Sequence, residues 1–139
     1  LAAFPGVPPA TTRPKPPFTT MGWEVDPSGL TATLRDTARA LPEVPLWVTE
    51  NGAAYADHVV DGGVYDPDRV SYLRGHLQAA AEAIAEGVDL RGYFCWSLLD
   101  NLEWAEGRTQ TFGIVHVDPQ TMERIPKASY DFYRSVVTA

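Results

Sequence analysis

The chain has 139 residues, 18 acidic against 11 basic, and a formal charge of −7. With no basic cluster it lacks the electrostatic footprint of a nucleic-acid binder. Hydrophobic content of 45% with mixed charges excludes disorder, and no run of about 18 apolar residues is present to span a membrane.

Residues 1–20 are rich in Pro, Gly, Thr and Ala and carry no apolar leader core. They predict an irregular or mobile loop left by a cut or a disordered stretch, preceding a unit over 21–139. A helix is expected over 27–41, with Pro27 and Ser28 near its start and Leu30, Leu34, Ala38 and Leu41 as its apolar stripe. The run Val44-Pro45-Leu46-Trp47-Val48-Thr49-Glu50 then reads as a strand, β-branched and aromatic. Alternation sets Leu46, Val48 and Glu50 on one face and Trp47 and Thr49 on the other. Asn51-Gly52 ends it as a turn signal, since both residues tolerate positive φ.

A Gly-rich loop over 53–65 follows. Asp66 as N-cap and Pro67 at the first helical position open a second helix. Val70, Leu73, Leu77, Ala81 and Ile84 stripe that helix, and Gly87 is placed to cap its end. A buried strand is expected over 91–98, then a loop through Gln110 and a short hairpin over 112–125. Pro126 opens a last helix with Tyr130, Tyr133 and Val137 on one face.

Strand ends concentrate the chemistry. Glu50 is a carboxylate delivered by an apolar wall to the C-terminal end of a strand, where (β/α)-barrel enzymes keep their reacting groups. Trp96, Glu103 and Trp104 sit on or beyond the next strand end, placed to converge beside it. Indole faces pack on the C–H faces of a pyranose and carboxylate oxygens accept its hydroxyl protons, so this set suits a sugar. Taken one at a time, Glu50 also reads as a solvated residue before a turn, and both tryptophans as core aromatics. His58, His76 and His116 are far apart in sequence and read as solvated or structural. Cys95 has no partner for an internal disulfide and reads as an inert strand thiol, compatible with a reducing cytoplasm. No metal-ligand spacing or internal repeat is present.

The ordered motifs Thr49-Glu50-Asn51-Gly52, Trp96-Ser97-Leu98-Leu99-Asp100-Asn101-Leu102-Glu103-Trp104, Phe112-Gly113-Ile114-Val115-His116-Val117-Asp118 and Arg124-Ile125-Pro126-Lys127-Ala128-Ser129 resemble the C-terminal part of family 1 glycoside hydrolases. The resemblance runs from about Gly22 to about Val137. It implies an α/β fold: the portion of a (β/α)8 barrel around strands seven and eight with flanking helices. Such barrels need roughly 200–250 residues, so 21–139 would be incomplete alone. It further implies Glu50 as catalytic nucleophile, Glu103 and Trp104 as ligands of the distal sugar hydroxyls, Trp96 as the floor of that subsite and Phe112 as an aromatic lining it. The Trp96-Ser97 peptide would be cis.

The activity so implied is hydrolysis of terminal β-D-glycosides by double displacement, with no cofactor and no metal. The family's acid/base lies on an Asn-Glu-Pro motif that this chain lacks, so the chain alone is expected to be inactive. Its partners would be the N-terminal remainder of the barrel, in the same polypeptide or a second chain, and a β-glucoside or oligosaccharide substrate; neither nucleic acid nor membrane is expected. Two alternatives remain at this stage. One is an inactive carbohydrate-binding or regulatory fragment that kept the aromatic platform. The other is a 6-phospho-β-glycosidase, against which Glu103 would repel the phosphate. Arg108-Thr109-Gln110-Thr111 also departs from the aromatic-plus-basic pattern common there.

Overall fold

The computed structural model describes residues 14–139. Of the segment expected to be irregular over 1–20, residues 1–13 lie outside the described residues. In 14–20 there is no helix, but Phe18 pairs with Glu24 in an isolated antiparallel bridge and Thr19 is buried.

Helix α1 (Pro27–Ala40) starts where Pro27 sets the helical φ and the Asp26 carboxylate accepts from the Ser28 N–H at 3.1 Å. Strand β1 (Leu46–Asn51) follows, then a hairpin of β2 (Val59–Val60) and β3 (Gly63–Val64) inside the stretch read from sequence as loop. Its turn is Asp61-Gly62, both in the left-handed region with φ of 50° and 76°, the arrangement that matches strand twist in a tight hairpin. Helix α2 (Pro67–Ala85) ends at Glu86, and Gly87 takes φ 95° just beyond, as its sequence position predicted. Strand β4 (Leu90–Cys95), the antiparallel pair β5 (Val115–Val117) and β6 (Arg124–Pro126), and helix α3 (Ala128–Val137) complete the order.

β1 and β4 pair in parallel as a two-stranded sheet. Their helix-facing side buries Leu34, Val48, Ala83 and Val88, with Leu30, Ala38, Leu46, Leu90 and Tyr93 packed around them. A second cluster, Leu73, Ile114 and Val115, joins α2 and α3 to the β5–β6 pair. Among the described residues no closed barrel is formed, and no helix is long and apolar enough to cross a membrane.

Three details correct the sequence reading. Leu46 and Val48, grouped with Glu50 by alternation, pack against the helices, and the uncovered face carries Trp47 and Phe94. Trp47 and Phe94 stack there with centroids 6.3 Å apart. On α2 the buried stripe is Arg69, Leu73, His76, Ala79, Ala80 and Ala83, rotated from the expected one, and Ile84 is exposed. The helix turns its small residues to α1, where the Thr31 hydroxyl donates to the Ala79 carbonyl at 3.2 Å. Asp66 stands at the N-cap, yet its carboxylate does not cap α2; it bonds Arg69 and Ser129.

Candidate active site

The end of β1 departs from regular pairing. Val48 opposes Tyr93 and Asn51 opposes Cys95, so three steps of β1 match two of β4. The extra residue breaks the alternation that grouped Glu50 with Leu46 and Val48, and Glu50 lines an open groove beside the sheet end. Asn51 and Gly52 lie outside the left-handed region, contrary to expectation. Glycine is needed at 52 for another reason. A Cβ there would fall 1.6 Å from the Trp96 carbonyl oxygen, so only a bare α-carbon lets the two strand ends close. The Trp96 N–H donates to the Asn51 carbonyl at 2.9 Å across the same contact.

From Trp96 the chain turns through a cis Trp96–Ser97 peptide, as the resemblance implied. Ser97 N–H reaches the Phe112 carbonyl at 3.2 Å and its carbonyl accepts from Ile114 at 2.9 Å, which folds the 97–113 loop back on its own base. At the tip, the Glu103 N–H donates to the Gly107 carbonyl at 2.6 Å and the Gly107 N–H returns a bond to the Glu103 carbonyl at 2.9 Å. Within this clip Trp104 takes φ 26° and stands 91% exposed, uncommon for a bulky residue.

All five residues singled out in the sequence, Glu50, Trp96, Glu103, Trp104 and Phe112, line this one groove of about 560 Å³. Phe112 is buried at its base, Glu103 is half-buried, and Glu50, Trp96 and Trp104 are exposed. Sequence reasoning missed Trp23, Asn51, Gly52 and Tyr72, which complete the lining. Trp23 approaches Phe112 with centroids 6.0 Å apart, tilted by 45°. It lies three residues before the α1 cap, Asp26, and nothing local to Gly22-Trp23-Glu24 announces a partner 89 residues away. Burial pushes the Tyr72 phenol up to about 12, so it is a neutral donor or acceptor at any working pH.

Beneath the groove lies a buried ion cluster that sequence reasoning also missed. Arg69 grips Asp57 through both terminal nitrogens at 2.9 and 2.7 Å, pairs with Asp66, and donates to the Thr111 carbonyl at 2.7 Å. Lys127, wholly buried, bridges Asp57 at 2.6 Å and Asp100 at 2.8 Å. Asp100 accepts the Gly113 N–H at 2.9 Å, and His116 Nδ1 lies 3.2 Å from its other oxygen. Burial alone would raise the Asp57 carboxyl, but the bonds and charge of Arg69, then Lys127, outweigh it and leave it below its ordinary value. Only the Asp66–Arg69 spacing is local; the other members are brought together by the fold. They tie loop 53–57, both ends of the 97–113 loop and the start of α3 into one block.

The remaining candidates are structural in the described residues. His76 lies under Tyr72, ring on ring at 3.9 Å, with Nδ1 2.8 Å from the Tyr72 carbonyl. Cys95 is half-buried and its thiol is raised to about 11 by burial, so it stays protonated.

The groove combines carboxylates with indoles at the C-terminal end of parallel strands, surfaces whose chemistry suits a sugar ring; comparison with known proteins gives the family. Residues 8–139 match the profile of Glycosyl hydrolase family 1, and the chain belongs to that family, whose members are β-glycosidases built on TIM barrels. It is 48% identical over 126 residues to the bifunctional β-D-glucosidase/β-D-fucosidase of Bifidobacterium breve, covering 87% of this chain and 27% of that one. It is 49% identical over 122 residues to β-glucosidase A of Thermotoga maritima, covering 87% and 27%. The crystal structure of the Thermotoga maritima β-glucosidase with glucoimidazole superposes with a TM-score of 0.89 at 47% identity, over 91% of this chain and 29% of that one. The psychrophilic β-glucosidase of Micrococcus antarcticus gives 0.86 at 49%, over 88% and 26%. The chain thus spans little more than a quarter of the length of these relatives.

Proposed function

We propose that this chain is the C-terminal part of a retaining β-glucosidase, contributing strands seven and eight of the barrel, the nucleophile and half of the sugar subsite. The observation that carries the reading is the convergence of Glu50, Trp96, Glu103, Trp104 and Phe112 on one groove. Glu50 attacks the anomeric carbon and forms a glycosyl ester; a second carboxyl first protonates the departing oxygen and then activates water. In retaining enzymes the two carboxyls stand roughly 5–5.5 Å apart. The second belongs to the N-terminal remainder of the barrel, so this chain alone is inactive.

Within the groove, Glu103 accepts hydrogen bonds from the distal hydroxyls of the non-reducing sugar. Trp96 and Trp104 pack on its ring, and Phe112 backs the pocket. A neutral β-glucoside or oligosaccharide is favoured over a 6-phosphate, because Glu103 sets a negative charge where the phosphate would lie. The test is Glu50→Gln in the complete polypeptide. Turnover of p-nitrophenyl β-glucoside should fall by roughly a thousandfold or more while sugar affinity is kept, since only the covalent step is lost. Near-normal turnover in that variant would overturn the assignment.

A further inference from the structure

The groove is built on Glu50, yet no side chain holds the Glu50 carboxylate directly among the described residues; what is held is the residue after it. The Tyr93 hydroxyl donates to Asn51 Oδ1 at 2.6 Å. The Asn51 carbonyl takes the Trp96 N–H at 2.9 Å, and the Gly52 α-carbon abuts the Trp96 carbonyl. Asn51 is therefore fixed at its side chain, at its carbonyl and through its neighbour. The contacts fall where β1 carries its extra residue and leaves the regular ladder. A bulged strand end has fewer ladder bonds to hold its direction, so this clamp determines where the preceding side chain points.

We propose that Tyr93 is a positioning residue for the nucleophilic carboxylate, acting through Asn51; the proposal rests on the reading of Glu50 given above. Tyr93 suits the task. It sits in β4 directly opposite Val48 and packs among the helix-facing core residues, so its ring is fixed by burial. That burial also pushes its phenol far above the ordinary range, which keeps the donor protonated at every working pH. Its own carbonyl is held by the Tyr133 hydroxyl at 3.2 Å, a bond from α3 that does not involve Asn51. Loss of the Tyr93 hydroxyl removes the 2.6 Å bond to Asn51 Oδ1 and leaves the amide with the Tyr72 phenol as its remaining side-chain neighbour, and Glu50 then samples directions off the line of attack. A displacement of about 1 Å at a reacting group lowers the rate by up to about a hundredfold without weakening ground-state binding.

The experiment uses the complete polypeptide and 2-deoxy-2-fluoro-β-glucosyl fluoride. Glu50 Oε bonds to C1, the C1–F bond breaks, fluoride leaves with its electron pair, and the fluorosugar ester persists on the protein. The inactivation rate constant reports the attack, its half-saturation reports binding, and peptide mass locates the label. Tyr93→Phe should label roughly 10- to 100-fold more slowly than wild type with half-saturation within about twofold. Asn51→Ala should be comparably slow, and the double variant no slower than the slower single, the signature of one shared interaction. Tyr133→Phe, which removes a comparable half-buried hydroxyl, should label at the wild-type rate. If Tyr93→Phe does not fold, Asn51→Ala against Tyr133→Phe carries the same comparison. Wild-type labelling rates in Tyr93→Phe or Asn51→Ala would overturn the positioning role and leave the nucleophile intact. A wild-type label on a carboxylate other than Glu50 would overturn the nucleophile reading, and this proposal with it.

Discussion

Replacing Lys127 by methionine isolates the contribution of the buried ion cluster. The methionine nearly preserves the volume of the lysine stem but removes an ammonium that is wholly buried and bonded to Asp57 at 2.6 Å and Asp100 at 2.8 Å. Asp57 and Asp66 would then keep Arg69, while Asp100 would lose its one Lys or Arg partner among the described residues. Breaking a buried pair by deleting one partner destabilises by about 3–5 kcal/mol, because the remaining charge is stranded away from water. The pH dependence fixes the cause. In the wild type Asp57 is held below its ordinary pKa, so its stabilisation is present above the unfolded value of about 3.9 and lost as pH falls through the folded one. Without Lys127 the same carboxyl rises, and protonation relieves the variant. Urea unfolding of the complete polypeptide should therefore show the largest deficit near pH 7 and a shrinking one as pH falls through about 4. A second consequence reaches the groove, since Asp100 anchors the Gly113 N–H at the base of the loop carrying Glu103 and Phe112. KM should rise more than kcat falls. An unchanged unfolding midpoint at pH 7, or a deficit that grows in acid, would refute the argument.

Glu103→Ser should weaken hydrolysis of p-nitrophenyl β-glucoside by roughly 10- to 1,000-fold, because hydroxyls lose a charged acceptor, and should relieve the penalty against the 6-phosphate; wild-type kinetics on both substrates would remove Glu103 from the sugar site. His76 has its pKa lowered by burial, which outweighs the raising effect of its bond to the Tyr72 carbonyl. A depressed histidine supports the fold above its unfolded pKa of about 6.5 and costs stability as pH falls below it, so His76→Gln should flatten the stability profile on the acid side of that value, measured by unfolding at a series of pH values. The isolated chain should sediment as a self-associating species and regain cooperative unfolding only when the complementary part of the barrel is supplied; a stable, cooperatively unfolding monomer would count against the partnership.

How much was legible beforehand divides along the range of the forces involved. Helix starts at Pro27 and Pro67, the Gly87 stop and the strand run through Trp47 and Val48 are set by residues within a turn of one another, and each is found in the structure. The five groove residues were legible because each sits at or beyond a strand end, or carries the family resemblance. What failed depended on partners far away in sequence. The grouping of Glu50 with Leu46 and Val48 failed because alternation assumes a regular ladder, and the extra residue before Asn51 shifts the phase. The α2 stripe was misread because an alanine-rich helix offers several apolar faces, and Arg69 chose among them by seeking Asp57, 12 residues back. Gly52 was read as part of a turn signal that tolerates positive φ, whereas its constraint is the Trp96 carbonyl, 44 residues on, and not its own φ.

Parallel strands are ordinarily covered on both faces, and here only one face is. Trp47 and Phe94 stack on the other, with 53% and 55% of their surfaces open, and Gly92 lies so close under the Trp47 ring that a Cβ would come within 2.1 Å of it. Close fitting of an indole onto a bare backbone is a packing feature, out of place on a surface that water is meant to wet. The groove opens at the end of these same strands, bounded by Glu50 and Trp96. On the function proposed above, the remainder of the barrel both covers the aromatic pair and supplies the second carboxyl. Completion of the core and completion of the catalytic pair are then a single event. On that reading Glu50, exposed in this chain, meets a water-poor site only when the apolar face beside it is closed.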